Sequence, residues 1–263
     1  MDFNEAREQY FQQGYFVVDD AVAPAMLDRL EGAGRRVVDL VRSGQVDVSG
    51  QGPLATGVIG LIDPRFGERA FADYYISAPL TRYVEAFLAG DLRMGALVLW
   101  CVEDNAYDSA WHRDTYPPRD AELEGAEEMA MLTEPFDHFK WQVALLDDPC
   151  LWAVPGSHRR NRTEEETAVL RGDRRGELTG QVQVDLKRGQ TVFWDGKLIH
   201  RGLKPDGLER RLSLAGSYKL YNPDQEPEDP GETWSWMLSD GIRDFLPEEA
   251  RPLYDRWRAV QKG

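Results

Sequence analysis

Four histidines are all that this 263-residue chain carries, and one of them, His112, stands two residues before Asp114 in "AWHRDT". The segment follows an apolar run, Met94 to Val102, that reads as a strand. On a strand, residues i and i+2 project from the same face, so an imidazole nitrogen and a carboxylate oxygen can aim at one point. A ligand from another strand would complete a triangle. Two histidines and one carboxylate on one face, with the opposite positions open, form the arrangement of non-haem iron(II) oxygenases, where oxygen and a co-substrate must both reach the metal. The third candidate is His200, which closes the β-rich run "TVFWDGKLIH". Taken alone, the His-x-Asp pair fits a strand-end hydrogen bond equally well; the third residue makes it a metal candidate.

Eleven residues after His200, Arg211 heads the run "RRLSLAGSY". If the chain turns back after His200, this guanidinium points into the same cavity. A fixed, permanently charged, bidentate donor is what a co-substrate carboxylate needs. Arg210 is the alternative, because strand alternation lets only one of the pair face inward.

Positioning these residues takes a β scaffold. After Gly90 short β-type runs dominate: "MGALVLWCVE", "KWQVALLD", "CLWAV", "QVQVDL", "QTVFWD" and "RRLSLAGSYKLY", many of them separated by turn formers such as "DDP", "PGSH", "KRGQ" and "KPDG". Such spacing predicts a β-sandwich or barrel. The first third reads as helical around one strand. Asp2 or Asn4 caps a short helix, "GYFVVDD" is β-rich, Pro24 to Arg42 carries apolar residues at helical spacing before Gly44, and a further helix covers Leu80 to Leu88. Thr115–Phe139 and Arg159–Gly180 read as long connections, the first a lid over the site. The tail from Gly241 reads as helical, interrupted by Pro247 and Pro252. One domain, mainly β with flanking helices, is the expectation.

A net charge of −15 argues against coating nucleic acid or an anionic membrane. Arg159-Arg160, Arg174-Arg175 and Arg210-Arg211 leave room for an anionic small molecule in a locally basic pocket. Cys101 and Cys150 lie in apolar surroundings and read as two buried thiols. The acidic opening "MDFNEAREQYFQQ" does not read as a signal peptide, and Met94–Val102 is too short to span a bilayer. A cytoplasmic protein acting on a small molecule, with no nucleic-acid or membrane partner, is expected; the oligomeric state is not legible.

"WHRD", "PGSH" and the His200-to-Arg211 spacing, with the opening "GYFVVDDAVAPAMLDRL", resemble the phytanoyl-CoA dioxygenase family of iron(II)/2-oxoglutarate oxygenases. The resemblance spans roughly Glu8 to Tyr218 and is patchy between Asp47 and Asp91 and across Thr115–Phe139. It implies a double-stranded β-helix, the jelly roll of cupin-like proteins. It implies that His112, Asp114 and His200 bind Fe(II) and that Arg211 holds the far carboxylate of 2-oxoglutarate. It also implies that O2 is consumed, with succinate and CO2 as co-products. Related halogenases carry a small residue where Asp114 stands, so a hydroxylase is expected. The family often has a serine and an asparagine after the distal histidine, whereas "HRGLKPDG" offers neither.

Further candidates are less determined. Gln142 contacts 2-oxoglutarate or substrate if it faces inward, and is an outer-face residue otherwise. Tyr116, Phe136 and His138 in or beside the long connection are candidate substrate contacts, as are Trp152 and Trp234, for which core packing is the alternative. His158 in "PGSH" reads as a turn residue. In functional class, the alternative to an oxygenase is a jelly roll that binds a metal or ligand, or acts as a sensor, without turnover.

Overall fold

The computed structural model describes residues 1–48, 50, 52–103, 106–114, 122–135 and 138–262. Its helical first third follows from local signals. Asp2 caps α1 (Phe3–Gln13) in a reciprocal box with Glu5, and Gly14 ends it at φ 86°. After β1 (Tyr15–Val18), Pro24 opens α2 (Pro24–Arg42), which buries Leu27, Leu30, Ala33, Gly34, Val37, Val38 and Val41 as one stripe. A short β2 (Gly57–Val58), α3 (Ala70–Tyr75) and α4 (Ala78–Phe87) follow.

Among the described residues, seven further strands and two α-helices follow. They are β3 (Leu92–Val102), α5 (Gly125–Thr133), β4 (His138–Ala144), β5 (Asp148–Ala153), α6 (Glu164–Arg171), β6 (Val182–Leu186), β7 (Thr191–Trp194), β8 (His200–Gly202) and β9 (Arg211–Leu220). Helices α7 (Gly231–Trp234), α8 (Ile242–Phe245) and α9 (Arg251–Ala259) complete the tail. Pro252 lies in the first turn of α9, where a missing N–H costs nothing. The two long connections differ from the expectation of structureless loops, since each contains a helix.

Among the described residues two antiparallel sheets form, in the orders β1-β7-β4-β9-β3-β2 and β6-β5-β8. Alternation sorts the faces of the larger sheet. Phe139, Trp141 and Val143 of β4, Leu212, Leu214 and Tyr218 of β9, and Leu97 and Leu99 of β3 join Leu30, Val37, Phe71, Tyr75 and Val84 of the helical layer in one core. Phe16, Phe87, Phe139 and Phe193 stack there, with centroids 4.8–5.1 Å apart along the chain of contacts. The interleaved residues of β4 and β9 face the other way, into the space between the sheets: His138, Lys140 and Gln142; Arg211, Ser213, Ala215, Ser217 and Lys219. The pattern is that of the expected jelly roll.

One irregularity bears on that interior. The β3–β9 register shifts between Met94 and Leu97. Gly95 occupies the bulge because a Cβ would run into the hydroxyl and carbonyl of Ser217. The Tyr75 hydroxyl donates to Ser217 O at 2.6 Å and accepts from Gly95 N at 3.1 Å, and Ala96 N donates to Ser217 Oγ at 3.0 Å.

Candidate active site

His112 lies in an isolated bridge rather than in a strand. The backbone N–H of His112 donates to His200 O and that of His200 to His112 O, both at 3.0 Å. A doubly bonded antiparallel pair places its two side chains on the same face, and the imidazole centroids stand 4.4 Å apart. Two residues on, Asp114 N donates to Gly196 O at 2.6 Å, so the segment continues alongside the approach to β8. His112 and Asp114 therefore meet His200 through main-chain pairing.

Nδ1 of His112 is 2.8 Å from Ala110 O, and Nδ1 of His200 is 2.9 Å from Leu198 O. A carbonyl only accepts, so each ring carries its proton on Nδ1 and presents the Nε2 lone pair. His200 Nε2 lies 3.1 Å from Asp114 Oδ2 and His112 Nε2 3.6 Å from Asp114 Oδ1. One donor atom from each residue lies within 4.8 Å of both others. Two ligands at right angles on bonds of about 2.1 Å stand about 3 Å apart, so small side-chain adjustments close the triangle on one ion. Among the described residues this is the group of His, Cys, Asp and Glu side chains that can hold a metal. The fixed tautomers and the mixed N,O donor set fit iron(II) with open positions.

The charges are set accordingly. Burial, and then the neighbouring His200, push the His112 imidazole down to about 4, so it is neutral and able to ligate near pH 7. Burial alone would raise the Asp114 carboxyl; Lys140, and then His200, outweigh it and hold the group well below the usual carboxylate range. Lys140 Nζ contacts Asp114 Oδ2 and lies 5.3 Å from the Trp194 ring centroid.

Arg211 is buried and its neighbour is not: Arg210 reaches out to Glu103 at 3.4 Å. Arg211 Nε donates to both oxygens of the fully buried Asp148, at 3.0 and 3.1 Å, and Nη2 lies 3.4 Å from Gln142 Oε1. Asp148 also accepts from Gln142 Nε2 at 2.9 Å, Ser213 Oγ at 2.5 Å and Cys150 N at 3.0 Å. Burial opposes the charge on each partner, and their mutual attraction prevails: the Asp148 carboxyl is lowered and the Arg211 guanidinium raised. Tyr107 and Trp100 flank the guanidinium at 5.0 and 5.4 Å. Nη1 of Arg211 is buried without a hydrogen-bond partner among the described residues. Such an orphaned charged donor is costly unless an acceptor arrives, and a ligand carboxylate fits it.

A cleft of about 540 Å³ opens beside the triad. Asp114, Lys140, His138, Ser217, Lys219 and Arg93 belong to its floor. Met131, Glu134 and Pro135 at the end of α5, and Glu228, Trp234, Met237, Trp257 and Gln261 from the tail, belong to its walls. α5 is held down by Glu128, which accepts from Arg113 Nη1 at 2.6 Å and from Arg162 N at 3.1 Å.

The remaining sequence candidates separate. His138 and Trp234 line the cleft. Gln142 faces inward, tied to Asp148 and Arg211. Trp152 pairs with Arg201 while Ala153 pairs with His200, so Trp152 lies on the opposite face of β5 and packs with Trp111, Val154 and Ile199. Tyr116 and Phe136 lie outside the described residues. His158 Nε2 is 3.2 Å from Phe11 O, fastening the "PGSH" turn to α1. Lys140, Asp148 and Ser213 were not singled out from sequence. The alternation of β4 and β9 was the signal for Lys140 and Ser213, whereas Asp148 is masked by a turn-like "DDP".

The family model of phytanoyl-CoA dioxygenase (PhyH) matches residues 10–207. The chain belongs to that family. Its members are iron(II)- and 2-oxoglutarate-dependent oxygenases that use O2. The matched span contains His112, Asp114 and His200 and ends four residues before Arg211. No curated protein sequence matches the chain. Among solved structures, AviO1 from Streptomyces viridochromogenes Tue57 is similar at 22% identity and TM-score 0.61, covering 86% of this chain and 97% of its own. The epimerase SnoN, in complex with Fe3+, alpha ketoglutarate and nogalamycin RO, is similar at 20% identity and TM-score 0.59, covering 83% and 84%. EctD from S. alaskensis, with 2-oxoglutarate and 5-hydroxyectoine, is similar at 16% identity and TM-score 0.61, covering 84% and 77%. These likenesses establish the jelly-roll fold. No helix among the described residues is long and apolar enough to cross a membrane.

Proposed function

We propose that this PhyH-family chain is a hydroxylase of a small or medium organic molecule, with His112, Asp114 and His200 as iron ligands and Arg211 as the 2-oxoglutarate anchor. The observation that carries the reading is the convergence of two Nε2 lone pairs and one ionised carboxylate on a single point, with both Nδ1 atoms tied to backbone carbonyls. When bound, iron(II) with 2-oxoglutarate and O2 supplies an oxidant for C–H bonds, with succinate and CO2 as co-products.

The chain's own groups do the rest. Arg211 Nη1 takes the far carboxylate of the keto acid, and Asp148, Gln142 and Ser213 fix that guanidinium so that little ordering is needed on binding. Lys140 keeps Asp114 ionised. His138 and Trp234 contact substrate from the floor and the tail wall of the cleft. The 115–139 segment acts as a lid: Met131, Glu134 and Pro135 border the cleft, and the Glu128 pairs hold that end close. Asp114 occupies the position a halide would need, which favours oxygen transfer. Cys101 and Cys150, free and buried, suit a reducing cytoplasm.

The competing reading is a jelly roll without turnover. It draws on Lys140, whose ammonium compensates Asp114 without any metal. Anaerobic addition of Fe(II) and 2-oxoglutarate decides between them. The hydroxylase gives a visible charge-transfer band, lost in His112→Ala and weakened or shifted in Arg211→Ala, and forms succinate in air. A wild-type chain that forms no succinate across a broad substrate panel favours the jelly roll without turnover.

A further inference from the structure

The inner face of β9 carries, in order, Arg211, Ser213, Ala215, Ser217 and Lys219. Its two ends are cationic and the metal triad faces the stretch between them. Ser217 pairs with Lys140, whose ammonium touches Asp114. One step further on, Lys219 pairs with His138 on β4 and with Arg93 on β3. Three basic side chains thus stand in register across three neighbouring strands, all on the cleft floor. The row stands on a half-buried surface, with Arg93 only 5% exposed. Glu228 on the tail wall approaches Arg93 at 3.4 Å, and Glu134 and Asp229 border the cleft at its walls. The cleft therefore carries basic side chains at the sheet beside Asp114, and at its walls Lys197 with the carboxylates of Glu134, Glu228 and Asp229, a lining that a hydrocarbon chain would leave unmatched.

We infer that the row Arg93–Lys219–His138 binds an anionic group, carboxylate or phosphate, of the primary substrate. This rests on the oxygenase reading for the identity of that substrate and deepens it by naming a class. The row is not a second anchor for the keto acid. Arg211 and Lys219 are eight residues apart on one strand face, roughly 27 Å at the usual rise, too far for one small diacid to reach both. Lys219 lies one same-face step, roughly 7 Å, beyond the row that reaches Asp114, so the oxidised carbon is remote from the anionic group rather than adjacent to it. The wall carboxylates of Glu134, Glu228 and Asp229 then suit hydroxyl or amino substituents on the rest of the molecule.

The test uses the full chain loaded anaerobically with Fe(II) and saturating 2-oxoglutarate, which fills the Arg211 site. Glucose, gluconate and glucose 6-phosphate are titrated, and binding is read from the fluorescence of the cleft tryptophans Trp234 and Trp257. The expected result is that gluconate or glucose 6-phosphate binds at least about tenfold more tightly than glucose, as one charge-assisted hydrogen bond would give. That preference shrinks with added salt and is lost in Lys219→Gln and weakened in His138→Gln. The arm that wins tells carboxylate from phosphate. Equal binding of all three sugars, or an anion preference unchanged in both variants, overturns the inference. The charge-transfer band is recorded in the same samples. A wild-type sample without it counts against the oxygenase reading, while the anion preference is still read on its own.

Discussion

His112 and His200 hold each other by two backbone hydrogen bonds of 3.0 Å, not through their side chains. The pairing of the two histidine-bearing segments is thus independent of the imidazoles. His112→Ala and His200→Ala are expected to abolish Fe(II) binding in anaerobic titration while the fold persists. Calorimetric unfolding of the metal-free variants is expected to stay within about 2 kcal/mol of the wild type, the cost of truncating a half-buried or buried ring whose backbone pairing persists. Unfolding of either apo-variant at room temperature would show that the rings carry the architecture.

Arg211 and Asp148 make a different prediction, because both are buried and each is the other's main support. Arg211→Met leaves Asp148 charged and under-compensated, which costs on the order of 3–5 kcal/mol. Arg211→Met with Asp148→Asn recovers much of that stability but not 2-oxoglutarate binding. Denaturant unfolding and the charge-transfer titration, run on the same three proteins, separate the structural role from the anchoring one. Equal stability of the single and double variants would refute the coupling.

Acid should reveal the same pair. Asp148 is lowered in the folded chain from its ordinary 3.8, against the opposition of burial, by Arg211 and the hydroxyl of Ser213. The stability it contributes is present above the unfolded value and is lost as pH falls from about 4 through the folded value. Asp148→Asn is therefore expected to flatten the fall in unfolding free energy below about pH 4, measured by urea denaturation across pH. An unchanged acid limb would assign the loss to other carboxylates.

The two thiols should be silent in the native state. Burial pushes Cys101 up to about 11 and Cys150 up to about 12, the latter with further help from Asp148. At pH 8 neither presents appreciable thiolate. A disulfide-exchange reagent is expected to label neither in native protein and both after unfolding. Rapid native labelling of either one would contradict its burial.

Glu128 gives the clearest handle on the 115–139 segment. It sits 2% exposed between Arg113 and Arg162 and ties the first half of α5 to the "PGSH" side of the molecule, while Lys197 donates to Leu132 O at 3.2 Å and to Glu134 O at 2.6 Å at the other end. Glu128→Ala is expected to raise protease cleavage within 122–135 and weaken substrate retention, while Fe(II) binding stays. Unaltered cleavage would mean that α5 is fastened by something other than this pair.

The same residue shows why part of the molecule was illegible in sequence. α5 buries Glu128 and Leu132, and α6 buries Glu166 and Leu170. Neither helix has an apolar stripe of the kind that gave α2 away, and Glu128 is stabilised by arginines 15 and 34 residues distant. Seven β runs and the His-x-Asp pair were legible because alternation and spacing are local, whereas β2 and the three-residue β8 are too short to leave a pattern. Choosing Arg211 over Arg210 needed only the parity of one strand, which points Arg211 to the interior. Trp152 needed the pairing register of β5 with β8, which no local pattern reveals.

The outer wall of the cleft comes from the end of the chain. Glu228 and Gln261 bridge in parallel, and Lys262 N donates to Glu228 O at 2.9 Å, so the tail is stitched to itself across the opening. Opening this closure would widen the cleft while leaving the backbone pairing of His112 with His200 intact, because the two sets of hydrogen bonds share no residue.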